Sequence, residues 1–185
     1  MKLFRDLATD IRRKAQWRYR STSGRSVIKA ILADGTAAMC FYRLMQWSRR
    51  WRLSPLAMLF GRLNSICCQC TIGRGAEFGP GFVLLHSNGV VINGSVRGGE
   101  NIRLEHQVTI GAEEHESPQL GNDIYIGAGA KILGAVVIGD GARIGANAVV
   151  VDDVPPYSTV VGVPARVVRV RDCPSRDPDK TVSAG

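Results

Sequence analysis

The run IGAGAKILGAVVIGDGARIGANAVV, residues 126–150, decides the fold. Ile126, Ile132, Ile138, Ile144 and Val150 recur at every sixth position, and Leu120 extends the series backwards. Gly121, Gly127, Gly139 and Gly145 follow four of these residues. The fifth place of each hexad is small or β-branched: Ala130, Val136, Ala142, Ala148, Val154. A period of six suits neither a 3.6-residue helix nor a simple two-residue strand alternation. It suits short strands joined by turns, three to a coil, stacked as a parallel β-helix with one aliphatic side chain per strand pointing inward.

The same period runs upstream through Ile72 and Phe78, then Ile92, Gly98, Leu104 and Ile110, with two interruptions. Leu84 to Val91 fills eight residues where six are expected, and AEEHESPQ (112–119) lies outside the repeat. Breaks in a solenoid become loops, often on the binding face. All three histidines fall on or near these breaks. His86 is third in the unit that starts at Leu84, and His106 is third in the hexad that starts at Leu104. Their separation of 20 residues is one coil of 18 plus the two-residue insertion. They are therefore expected on one face, one coil apart, at about the 5 Å spacing of neighbouring strands. His115 is expected in the projecting loop. A neutral imidazole so placed suits general-base removal of a proton from an alcohol.

IGAGAKILGAVVIGDGARIGANAVVVDDVPPYSTVVGVPARVV (126–168), with HSNGVVIN (86–93) and VTIG (108–111), resembles the hexapeptide-repeat transferases, in particular their serine acetyltransferase branch. The resemblance spans about two thirds of the chain and implies a left-handed parallel β-helix. It also implies a homotrimer, with pairing of trimers left open, and acetyl-CoA as donor. His86 becomes the catalytic base, His106 a further site residue and His115 a substrate-loop residue. Gly111, Ala112, Ala128, Arg143 and Ala146 match positions that hold the co-substrate, and no metal is implied. Two departures stand out. The branch places an aspartate directly before its histidine, where this chain has Leu85, and a second aspartate where it has Thr71. The loop also lacks the usual Gly-Gly-Asp-Arg-His-Pro sequence. A backbone carbonyl could then orient His86. A sugar hydroxyl, which needs no partner for an ammonium group, becomes the expected acceptor. H-x-x-x-V-V-I-N and a histidine just before V-T-I-G are similar to acetyltransferases of exopolysaccharide clusters. Serine O-acetylation for cysteine synthesis is the alternative.

The remainder of the chain has a different character. Residues 1–66 carry 14 Lys/Arg against 3 Asp/Glu, whereas residues 67–185 carry 10 against 13. That asymmetry marks a basic helical unit (1–66) before a mainly β domain (67–171), with 172–185 expected to be disordered. Leu3, Leu7, Ile11 and Ala15 have helical spacing, a second helical stretch is expected from about Ser26 to Trp51, and Ser54-Pro55 can start a third. Arg43–Phe60 mixes Arg, Trp and Leu. It reads as a cap on the solenoid, with peripheral contact to an anionic membrane as the other reading. With 45% hydrophobic and 22% charged residues in 185, and no apolar run of membrane-spanning length, a cytoplasmic protein is expected. The basic pI does not by itself indicate nucleic acid, and none is expected as a partner. Cys67, Cys68 and Cys70 form one CxxC without a second pair, so thiols are expected rather than a zinc site. A zinc carbonic anhydrase of the same fold would need a histidine spacing that is absent here. A non-catalytic scaffold would leave the histidine-bearing bulge unexplained.

Overall fold

The structure is a computed structural model that describes residues 2–113 and 116–172. Four helices, α1 (Lys2–Tyr19), α2 (Gly24–Leu32), α3 (Thr36–Arg50) and α4 (Ser54–Cys68), precede a triangular parallel β-helix. Its first face stacks β1 (Cys70–Ile72), β4 (Val90–Ile92), β7 (Thr109–Gly111), β10 (Lys131–Leu133) and β13 (Val149–Val150). The second stacks β2 (Glu77–Phe78), β5 (Arg97–Gly98), β8 (Gln119–Leu120) and β11 (Val137–Ile138). The third stacks β3 (Val83–Leu84), β6 (Arg103–Leu104), β9 (Tyr125–Ile126), β12 (Arg143–Ile144) and β14 (Ser158–Val161). β15 (Arg166–Val170) closes that face antiparallel to β14.

The hexad positions are the core. Ile92, Leu104, Ile110, Ile126, Ile132, Ile138 and Ile144 are all at most 1% exposed. Each such side chain contributes about 1.5–3 kcal/mol by leaving water. Gly98 is the exception that explains itself. A Cβ there would meet Phe78 Cε1 at 2.6 Å and Ile102 Cδ1 at 2.7 Å, so the slot is empty because the Phe78 ring fills it. Phe78 in turn stacks on Phe82 at 4.5 Å, and Tyr42 of α3 packs on both rings.

The helical unit is fastened to the first coil by a buried ion pair. Arg43 donates to both Asp10 carboxylate oxygens, at 2.7 and 3.0 Å. Its remaining N–H groups go to Gln46 Oε1 and the Phe78 and Gly79 carbonyls. Asp10 accepts the amides of Gly81 and Phe82 as well. Burial pushes the Asp10 carboxyl pKa upward and outweighs the hydrogen bonds and charge of Arg43. The pair is thus costly to desolvate and more costly still to break.

Four expectations are corrected here. On α1 the deepest residues are Asp6, Asp10 and Lys14 with Ala15, while Leu3, Leu7 and Ile11 are only half-buried. Of this i, i+4 row of charges, Asp10 and Lys14 are met by partners on other elements, whereas Asp6 lies beside Arg5 of its own helix. The helical stretch expected over 26–51 is broken at Ala33-Asp34-Gly35 into α2 and α3. Ser54 begins α4, whose N-cap is Leu53 without a side-chain cap; Pro55 takes the first turn as expected. Gln119, expected in the loop, is the first residue of β8, so the projection is shortened to 112–118.

Candidate active site

The 33–35 break brings the helical unit to His86. Gly35 has φ +79, and a Cβ on it would sit 3.1 Å from the Leu84 carbonyl carbon and 3.2 Å from Lys14 Nζ. Only glycine allows both that backbone shape and that approach to β3. Asp34 is thereby presented to the bulge, and its Oδ2 lies 2.9 Å from His86 Nδ1. Its Oδ1 accepts the Gly35 amide at 2.7 Å and Ser87 Oγ at 3.4 Å. Burial works to raise the Asp34 carboxyl. The His86 and Gly35 hydrogen bonds and the His86 and Lys14 charges together bring it below its ordinary value. The group is therefore an ionised acceptor at neutral pH. In the neutral imidazole this contact places the proton on Nδ1 of His86, which leaves Nε2 with a lone pair.

Lys14 stands behind this pair. It is fully buried, and its ammonium donates to the Asp34 backbone carbonyl. Burial lowers its pKa to about 8, against the pull of Asp34 and with a smaller push from Arg18. Leu85, at the position where a carboxylate is missing from the sequence, is buried, and Thr71 is exposed on the first face.

The His86 and His106 rings are 6.0 Å apart and edge-to-face, as the coil arithmetic expects. The insertion gives each a different part. Leu84 pairs with Leu104, but past the bulge Gln107 donates to the Asn88 carbonyl at 2.8 Å. Asn88, rather than His86, is therefore in register with His106. His86 bulges out of the corner towards Asp34. Further along this edge the His106 carbonyl accepts from Gly129 and the Ala128 carbonyl from Asn147, which carries the column on to Ala146.

The other candidate residues divide between places. Ala128 and Ala146 lie on the histidine edge, between the third and first faces. Gly111 ends β7 and Ala112 starts the projecting loop, so both belong to the opposite margin of the first face. Glu113 and Glu116 exchange backbone bonds at 2.9 and 2.8 Å and pinch that loop. His115 lies outside the described residues. Arg143 is on the third face, its guanidinium 5.0 Å from the centre of the Tyr125 ring. It continues a ladder in which Arg103 sits 4.3 Å from the centre of the Trp17 ring. A groove of roughly 760 Å³ between α1, α3 and the second face includes neither histidine in its lining. Among the described residues no group of three or more His, Cys, Asp or Glu is placed to hold a metal ion.

Residues 117–152 match the family described as "Bacterial transferase hexapeptide (six repeats)". A serine acetyltransferase of Helicobacter pylori is 37% identical over 142 residues, covering 75% of this chain and 83% of that protein. The crystal structure of the Neisseria gonorrhoeae serine acetyltransferase superposes with a TM-score of 0.83 at 32% identity, over 98% of this chain and 72% of that one. The Brucella abortus serine acetyltransferase in complex with coenzyme A gives 0.81 at 29% identity, over 92% and 69%. These findings correct two expectations, the exopolysaccharide branch and a sugar as acceptor: the relatives carry the serine acetyltransferase name. The physical reason is visible in the site. The sugar reading rested on carboxylates missing at Leu85 and Thr71, and Asp34 supplies one from the helical unit.

Proposed function

The chain belongs to the serine acetyltransferase family of hexapeptide-repeat transferases, and from that premise we propose that it acetylates the hydroxyl of L-serine. It is an acetyl-CoA-dependent O-acetyltransferase. The observation that carries the proposal is the 2.9 Å contact between Asp34 and His86. Nε2 of His86 takes the serine hydroxyl proton as the oxygen attacks the acetyl carbonyl. Collapse of the tetrahedral adduct breaks the C–S bond, and the imidazolium returns its proton to the departing thiolate. Asp34 holds the ring and stabilises its charged form. Over half of the Asp34 side-chain surface is open. A negative charge beside the base favours an acceptor that carries an ammonium group over a neutral one.

The working unit in this proposal is a homotrimer. Gly111 and Ala112 lie across the first face from Ala128 and Ala146, so one chain offers two half-grooves rather than one. Packing the histidine edge of one subunit against the loop margin of the next joins them around the co-substrate, with His106 beside the acceptor. A thiol-release assay with acetyl-CoA and L-serine tests the acceptor. Turnover that forms O-acetylserine and disappears in His86→Ala is expected. Turnover with L-serine no faster than hydrolysis, while acetyl-CoA still binds, would overturn it.

A further inference from the structure

We propose that the corner between α3 and α4 is a docking edge for the surface of an anionic lipid bilayer. Residues 49–55 are exposed without interruption and read Arg-Arg-Trp-Arg-Leu-Ser-Pro. Trp51 is 66% exposed and Leu53 43%. One turn into α4, Met58 and Leu59 are 57% and 51% exposed, three and four residues after Pro55, so they continue the same side of the helix. Arg62 follows on that side. An indole and three aliphatic side chains ringed by arginines is the chemistry of a segment that rests in the headgroup layer.

Charge selects the occupant. Of the fourteen Lys and Arg residues before position 67, twelve are exposed; Lys14 and Arg43 are the two buried ones. The three acids of the same stretch are all engaged or buried. Asp10 holds Arg43, Asp34 holds His86, and Asp6 is 5% exposed. Arg49 pairs with Glu77 of the solenoid at 3.2 Å and Arg5 lies 3.7 Å from Asp6, but the exposed cations of the helical unit still far outnumber the acids that meet them, which suits a sheet of anionic headgroups. A symmetric contact with a second copy would set Arg50, Arg52 and Arg62 against themselves. A bare polyanion would leave Trp51, Leu53, Met58 and Leu59 without a use. No described helix is long and apolar enough to cross a membrane, so the contact is with the surface.

The test is sedimentation of the full chain with vesicles of phosphatidylcholine alone and of phosphatidylcholine mixed with phosphatidylglycerol. Binding only to the anionic vesicles is expected, weakened by salt, with a blue shift of tryptophan emission that is lost in Trp51→Ala. Arg50→Glu/Arg52→Glu should bind at least about tenfold more weakly, with acetyltransferase activity in solution and oligomer mass unchanged. Absence of binding, equal binding to neutral vesicles, or binding that the variants leave intact overturns the proposal. So does a change of oligomer mass in either variant, which would assign the edge to another copy of the chain. Binding to a DNA or RNA oligonucleotide without binding to vesicles overturns it in favour of a polyanion.

Discussion

Asp34 Oδ2 and His86 Nδ1 meet at 2.9 Å although 52 residues separate them in the chain and they belong to different structural units. The contact joins a helix break to a solenoid bulge, and each feature exists only because of a local irregularity. Gly35 lets the turn approach β3, and the two extra residues after Leu84 let His86 leave the coil. The proposed base is thus assembled by the interface, and disturbing either side should disturb catalysis.

Gly35→Ala is the most economical disturbance. The added Cβ meets the Leu84 backbone and is strained at φ +79. The expected outcome is a loss of about 1–3 kcal/mol in stability. The fall in kcat should exceed that of a surface alanine variant of equal stability. Urea unfolding and steady-state kinetics on the same preparation check both.

His106 tests how the acceptor is held. Its backbone carbonyl accepts from Gly129, a bond that His106→Ala keeps, so the coil should stay intact. The expected result is an unchanged melting temperature with a rise in KM for L-serine or a fall in kcat of about tenfold or more. Kinetics identical to the parent would remove His106 from the site.

Lys14 gives a pH signature with a defined sign. Its folded pKa of about 8 lies below the ordinary 10.5, so between those values the unfolded chain holds a proton that the folded chain has released. Its contribution to stability therefore rises with pH across that window, and the buried charge is a cost below it. In Lys14→Met this dependence should vanish. The parent should gain on the variant by about 1–2 kcal/mol between pH 8 and pH 9.5. Unfolding curves at the two pH values check this, and a constant difference would contradict it.

Arg43 has a structural part. Truncation in Arg43→Ala leaves Asp10 buried without its counter-charge and frees the Phe78 and Gly79 carbonyls. A loss of about 3–5 kcal/mol is expected, read from denaturant unfolding. A loss below about 1 kcal/mol would mean that the two units are held by apolar packing alone.

The hexads made the solenoid legible because each coil contacts only its neighbours, so period and stacking are one fact. Counting coils was enough to bring His86 within 6.0 Å of His106. Asp34 was not legible, since a contact across 52 residues leaves no period. Its one local signal was the Asp34-Gly35 pair, a turn dipeptide inside a stretch that otherwise read as one helix. The α1 interface was misjudged for a related reason. Leu3, Leu7 and Ile11 have the right spacing for a core face, yet Asp10 and Lys14 lie deeper because Arg43 and the Asp34 carbonyl meet them. The absence of a carboxylate at Leu85 points the sequence reading to a sugar acceptor, because the carboxylate that meets His86 comes from Asp34 of another element.

The most direct test of the account is the kcat of Asp34→Asn for acetyl transfer to L-serine. Asparagine is nearly isosteric, so the fold should persist, with KM for acetyl-CoA within about threefold of the parent. Without the carboxylate the imidazole loses its fixed tautomer and its counter-charge. We expect kcat to fall about 10²–10⁴-fold, with partial recovery in Asp34→Glu. A kcat within about threefold of the parent would show that His86 works without Asp34, and the assembled base described here would be wrong.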